Sequence, residues 1–118
     1  MALRQEQWTK LEVAVTLEAP RATHRVGSVF VSPAGMFVSD NLGLEAYTQV
    51  TVRFSVENRT VVAHTEVRRM LTAAEATDRG IDNKSGGTEL RIVRMEGDGS
   101  QILAEHIKKV LMESGGPV

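Results

Sequence analysis

Residues 50–71 read VTVRFSVENRTVVAHTEVRRML, and their alternation decides the fold class. Val50, Val52, Phe54 and Val56 fall on one side of an extended chain, with Thr51, Arg53, Ser55 and Glu57 on the other. That two-residue period marks a strand with one buried and one wet face. The polar break ENRT (57–60) precedes a second β-rich run over 60–71, so the stretch predicts an antiparallel hairpin. Without an Asn-Gly pair its turn type stays open.

Upstream, Leu11, Val13, Val15 and Leu17 alternate with Glu12, Ala14 and Thr16, predicting a first strand over 11–17. EAPRATHR (18–25) breaks the pattern with Pro20 and a basic cluster and reads as a loop. VGSVFV (26–31) and GMFVSD (35–40) are short β-rich runs around SPAG, whose Pro33 and Gly35 suit a turn or bulge. Downstream, TAAEATDRGIDNKSGG (72–87) is small, polar and Gly-rich, a long loop with at most one helical turn. A strand over 89–95 follows, and Asp98 with Gln101 forms a weaker relative of the capping box. Ile102, Leu103, His106, Ile107, Val110 and Leu111 then make one helical stripe, with Glu105, Lys108 and Lys109 on the other side.

These elements predict a mainly β chain: a six-stranded antiparallel β-barrel over about 10–95, with a C-terminal α-helix over about 100–113, in one domain spanning 1–118. The 118 residues are 42% hydrophobic and 25% charged, ordinary for a globular protein. A net charge of −1 and 4% aromatic content argue against nucleic acid, whose binders join basic grooves to stacking platforms. With no Cys, disulfides and thiolate metal sites are excluded. No run reaches signal-peptide or membrane-spanning length, so a cytoplasmic protein without membrane insertion is expected.

FVSPAGMFV (30–38), GLEAYTQVTVRFSV (43–56), TVVAHTEVRRM (60–70), GGTELRIV (86–93) and the closing helix together resemble the PilZ domain family, over about residues 4–112. The resemblance implies a six-stranded barrel with a flanking helix and a bacterial receptor for cyclic di-GMP. The family's ligand site joins an Arg-x-x-x-Arg pair before the first strand to an Asp/Asn-x-Ser-x-x-Gly motif between the second and third. Arginine grips phosphate or a guanine edge bidentately, and the acid or amide accepts from guanine donors. Ser32 and Gly35 match the second motif, but Phe30 stands at its acid or amide position. Counted back from the strand at 11–17, the arginine pair falls on Arg4 and Trp8. RATHR offers Arg21 and Arg25 by pattern, yet Arg25 lies only five residues before Phe30, so both belong to the loop after the first strand. Losing two anchors of about 1.5–3 kcal/mol each would weaken binding about a hundredfold to ten-thousandfold.

Two readings of Phe30 stand: a core residue of its strand, or, with Trp8, a plug where guanine would stack. Ser32 and Gly35 divide likewise between turn and ligand contact. His64 and Glu66 share a strand face and suit a cross-strand polar pair; His24, His64 and His106 have no metal-ligand spacing. Arg68, Arg69, Arg91 and Arg94 form a basic patch or, balanced by Glu66 and Glu89, a solvated sheet face. No catalytic constellation emerges, so no enzyme is expected. The implied function is a regulatory adaptor working through a motility or other regulatory protein partner, in motility, polarity or surface behaviour, with weak or absent cyclic di-GMP binding and no other cofactor. The alternative is a working receptor using Arg4, Ser32 and Gly35 with help from Arg21 or Arg25. The C-terminal helix and the loop at 72–87 are the candidate contact surfaces, and a helix stripe wider than the barrel needs would favour a homo-oligomer.

Overall fold

The computed structural model describes residues 8–32, 35–81 and 86–114. Among these residues eight strands form one antiparallel sheet: β1 (Thr9–Leu11), β2 (Val15–Glu18), β3 (Thr23–Val26), β4 (Val29–Ser32), β5 (Gly35–Val38), β6 (Gln49–Val56), β7 (Arg59–Leu71) and β8 (Gly87–Met95). Two helices accompany them, α1 (Ala73–Asp78) and α2 (Gly99–Ser114). The strand order is β1-β4-β5-β8-β7-β6-β2-β3. β1 and β2 stand near opposite ends of that order, although only residues 12–14 separate them in sequence. The sheet therefore curls into a half-barrel whose flanks return to one stretch of chain.

The described residues form eight strands rather than six, for two reasons. The alternation over 11–17 is real, with Leu11 and Val15 buried and Glu12 exposed between them. The pairing, however, changes partner within it: Leu11 lies opposite Val29 of β4, and Thr16 opposite Arg53 of β6. Residues 12–14 carry the bend, so one sequence pattern makes two strands. The second addition is β3, which lies inside the segment expected to be a loop and pairs with β2 as a hairpin.

The predicted hairpin at 50–71 is β6–β7, in register from Gln49↔Glu66 to Val56↔Arg59. Its loop is the two residues Glu57 and Asn58, at φ 51° and 66°. Positive φ at both positions is the signature of a type I′ turn, whose twist matches the flanking strands. Asn tolerates that region, whereas Glu is an unusual choice. Glu57 instead anchors α2: its carboxylate lies 3.2 Å from His106 Nδ1 and accepts from Lys109 Nζ at 3.1 Å. A second clamp joins Arg59 to Glu105 at 3.1 Å. Lys109 thus bonds β6–β7's loop and Glu105 bonds Arg59 and Gln101, rather than the helix's own charges facing one another.

Beneath these clamps Ile102 and Leu103 are buried in the core with Val15, Leu17, Val29, Met36, Val52, Val61 and Leu90, and Ile107 packs against it. Fully burying such a side chain contributes about 1.5–3 kcal/mol. The Glu57 carboxyl is held below its ordinary value, first by its bond to His106 and then by Lys109. A depressed folded value means that its stabilisation is present above the unfolded value, near 4.5, and is lost as pH falls through the folded one. The thermal midpoint is expected to drop below about pH 4.5 with a steeper slope than in Glu57→Gln. Equal slopes in the two proteins would show that the clamp contributes nothing to acid stability.

Candidate functional site

Cross-strand register places five side chains in one row on the outer face of the sheet. Lys10 lies opposite Phe30, Phe30 opposite Phe37, Phe37 opposite Glu89, and Glu89 opposite Arg69. Residues opposite one another share a face, and the neighbours of this row, Leu11, Val31, Met36 and Leu90, face the core instead. The two phenyl rings meet edge to face, with centroids 5.9 Å apart at 65°, the arrangement their quadrupoles favour. Lys10 Nζ stands 5.8 Å from the centre of the Phe30 ring.

The row would be exposed but for the segment after β7. Leu71, Ala76 and Ile81 form a second apolar cluster with Phe30 and Phe37, and Trp8 packs against it. Phe30 is 4% exposed and Phe37 not at all. Trp8 Nε1 is buried without a hydrogen-bond partner among the described residues, so among them the indole is held by packing. The segment was expected to be a loop with at most one helical turn, but it contains the six-residue α1. Thr72 is its N-cap: the hydroxyl accepts from the Glu75 amide at 3.1 Å and the Glu75 carboxylate accepts from the Thr72 amide at 2.8 Å. This is a reciprocal capping box.

An ion pair fastens α1 to the sheet. Glu89 is 1% exposed and binds Arg79 through both oxygens, Nη2 to Oε2 at 2.6 Å and Nη1 to Oε1 at 3.2 Å. Arg69 adds a longer contact at 3.4 Å. Glu89 is therefore a buried, doubly paired carboxylate, not the counter-charge of a solvated face. The other part of that reading holds, because Arg91 bonds Glu66 at the surface at 3.0 Å. His64 bonds Glu96, just past the end of β8, at 2.6 Å, so His64 and Glu66 each make a polar pair across to that side of the sheet.

The structure brings Trp8 and Phe30 together, Trp8 packing against the cluster that holds Phe30. Ser32 and Gly35 face each other across the β4–β5 pair, Ser32 being 9% exposed. A Cβ on Gly35, at φ 155°, would stand 2.2 Å from the Leu90 carbonyl oxygen, so the close approach of β8 requires glycine there. Arg4, Pro33 and the stretch 82–85 lie outside the described residues. Arg25 is on β3, whose pairing partner is β2, and Arg21 lies in the bend before it. A cleft of about 430 Å³ opens beside this region, between Asp40 and Asn41 on one side and Leu71, Thr72, Gly86 and Gly87 on the other. Among the described residues no three His, Asp or Glu side chains gather as a metal site would require, and no helix is long and apolar enough to cross a membrane.

No protein-family model matches the chain, and no curated protein matches it. Among solved structures it is similar to the Bacillus subtilis inhibitor of motility (MotI/DgrA), with a TM-score of 0.66 and 13% sequence identity. The match covers 95% of this chain and 53% of that one, so the chain spans about half of its neighbour's length. At that identity the likeness shows a common fold.

Proposed function

We propose that the chain is a PilZ-like regulatory adaptor, not an enzyme, which acts in the cytoplasm of a bacterium through protein contacts in motility, polarity or surface behaviour and binds cyclic di-GMP weakly or not at all. One observation carries this reading: Trp8 and Phe30, which the PilZ resemblance aligns with two of that family's ligand positions, share one apolar cluster with Phe37, Leu71, Ala76 and Ile81. A buried benzyl group supplies no acceptor for guanine, and the buried rings of Phe30 and Phe37 offer no stacking face. The fold shared with an inhibitor of motility supports the motility assignment.

Calorimetry with cyclic di-GMP is the test. The unmodified chain is expected to give no binding heat at concentrations where a receptor saturates, and Trp8→Arg with Phe30→Asp is expected to gain binding. Should that double variant keep the fold yet bind nothing, the plug reading fails. If Phe30→Asp unfolds the chain, Trp8→Arg alone, at a half-buried position, carries the test. Saturable binding to the unmodified chain would instead favour a receptor built on Arg4, Ser32 and Gly35 with Arg21 or Arg25.

A further inference from the structure

The pattern RATHR plays no part in the ring cluster, and its arginines sit at an edge of the sheet. β3 ends the strand order, bonded to β2 on one side and to no strand among the described residues on the other. Its four residues alternate between exposed and half-buried. His24 and Val26 lie opposite buried Leu17 and Val15, and Arg25 lies opposite Thr16, in one outward row with Arg53. Glu18, the acid of that hairpin, is already bonded to Arg53 at 2.9 Å. Among the described residues neither Arg21 nor Arg25 has a carboxylate partner, whereas Arg53, Arg59, Arg69, Arg79 and Arg91 each hold one.

A free edge offers main-chain donors and acceptors to another strand, and charge on it selects which strand adds. Two copies meeting at this edge would bring like charges together, which disfavours self-pairing. We propose that β3 is the docking edge for an extended acidic segment of a partner protein, which adds to the sheet as a further strand. The segment carries Asp or Glu on the face of Arg25 and aliphatic residues on the face of His24 and Val26. This names a surface for the adaptor reading and rests on it for the premise that the chain works through protein contacts. A peptide suits the edge better than single-stranded nucleic acid, since β3 carries no Phe, Tyr or Trp as a broad stacking platform for a base.

The probe is a capped hexapeptide of alternating Val and Glu, titrated into the isotope-labelled chain, with its Val-Lys counterpart as control. The Val-Glu peptide is expected to shift the amides of 23–26 and slow their hydrogen exchange, and the Val-Lys peptide to do neither. Arg21→Glu with Arg25→Glu, both at exposed positions, should weaken the Val-Glu peptide roughly tenfold or more and transfer preference to Val-Lys. Three outcomes overturn the proposal: no response at 23–26, a response unchanged by the charge reversal, or tighter binding of a short single-stranded DNA at the same amides. None of them bears on cyclic di-GMP, so the adaptor reading stands or falls separately by calorimetry.

Discussion

Arg79→Ala is expected to destabilise the chain by about 3 kcal/mol, at the lower end of the cost of orphaning a buried charge. The cost arises at Glu89, whose 1% exposed carboxylate would keep, among the described residues, only the longer contact from Arg69. Arg69 is itself 58% exposed and shares its charge with water, which keeps the expected loss from being larger. Glu89→Gln in the Arg79→Ala background should recover part of the loss, because an uncharged amide is cheaper to bury. Denaturant unfolding of the three proteins measures this. If Arg79→Ala costs less than about 0.5 kcal/mol, the size of an ordinary surface change, the pair does not hold α1. Native-state hydrogen exchange adds a local readout, since α1 amides should lose protection in Arg79→Ala before those of β6 and β7.

Gly87→Ala should cost about 3 kcal/mol or more, the upper range for forcing atoms into a packed site. A Cβ there would lie 2.0 Å from the Val38 carbonyl oxygen and 2.9 Å from Phe37 Cζ. Neither can yield cheaply: Val38 is backbone in the β5–β8 ladder, opposite Thr88, and Phe37 is wedged in the ring cluster. Gly97→Ala is the control for the absence of a Cβ clash, since nothing lies within 4 Å of the added atom; its cost would come from φ 51° alone. Equal losses at the two positions would mean that conformational freedom, not space, explains Gly87.

The β6–β7 hairpin was legible because each strand buries one face, which stamps a two-residue period on the sequence. The split of the first strand was not, because Leu11 and Val15 are buried alike and only their partners, Val29 on β4 and Val26 on β3, differ. β3 escaped notice for the opposite reason. An edge strand with half its residues exposed needs no apolar alternation, and Pro20 beside three basic residues looks like a loop. α1 did leave a signal, the Thr72-x-x-Glu75 spacing of a capping box, within a run too short and too small-residue-rich to show a helical period. At the candidate site, counting back from the first strand singled out Trp8 and the pattern around Ser32 and Gly35 singled out Phe30, and the two pack in one cluster. Phe37, Glu89 and Arg79 were out of reach, since Glu89 becomes a buried anchor only when the chain folds α1 back over β5 and β8.

The bend at 12–14 bears on the route by which the chain folds. β6 and β7 can zip from their two-residue loop with little entropy lost to loop closure. The curl of the sheet, in contrast, is secured only when residues 9–18 have found β4 with one half and β6 with the other. That step joins distant parts of the chain and falls late in a contact-order view of the kinetics. Substitutions at Leu11 or Leu17 should therefore speed unfolding far more than they slow folding, whereas those at Val52 or Phe54 should slow folding itself.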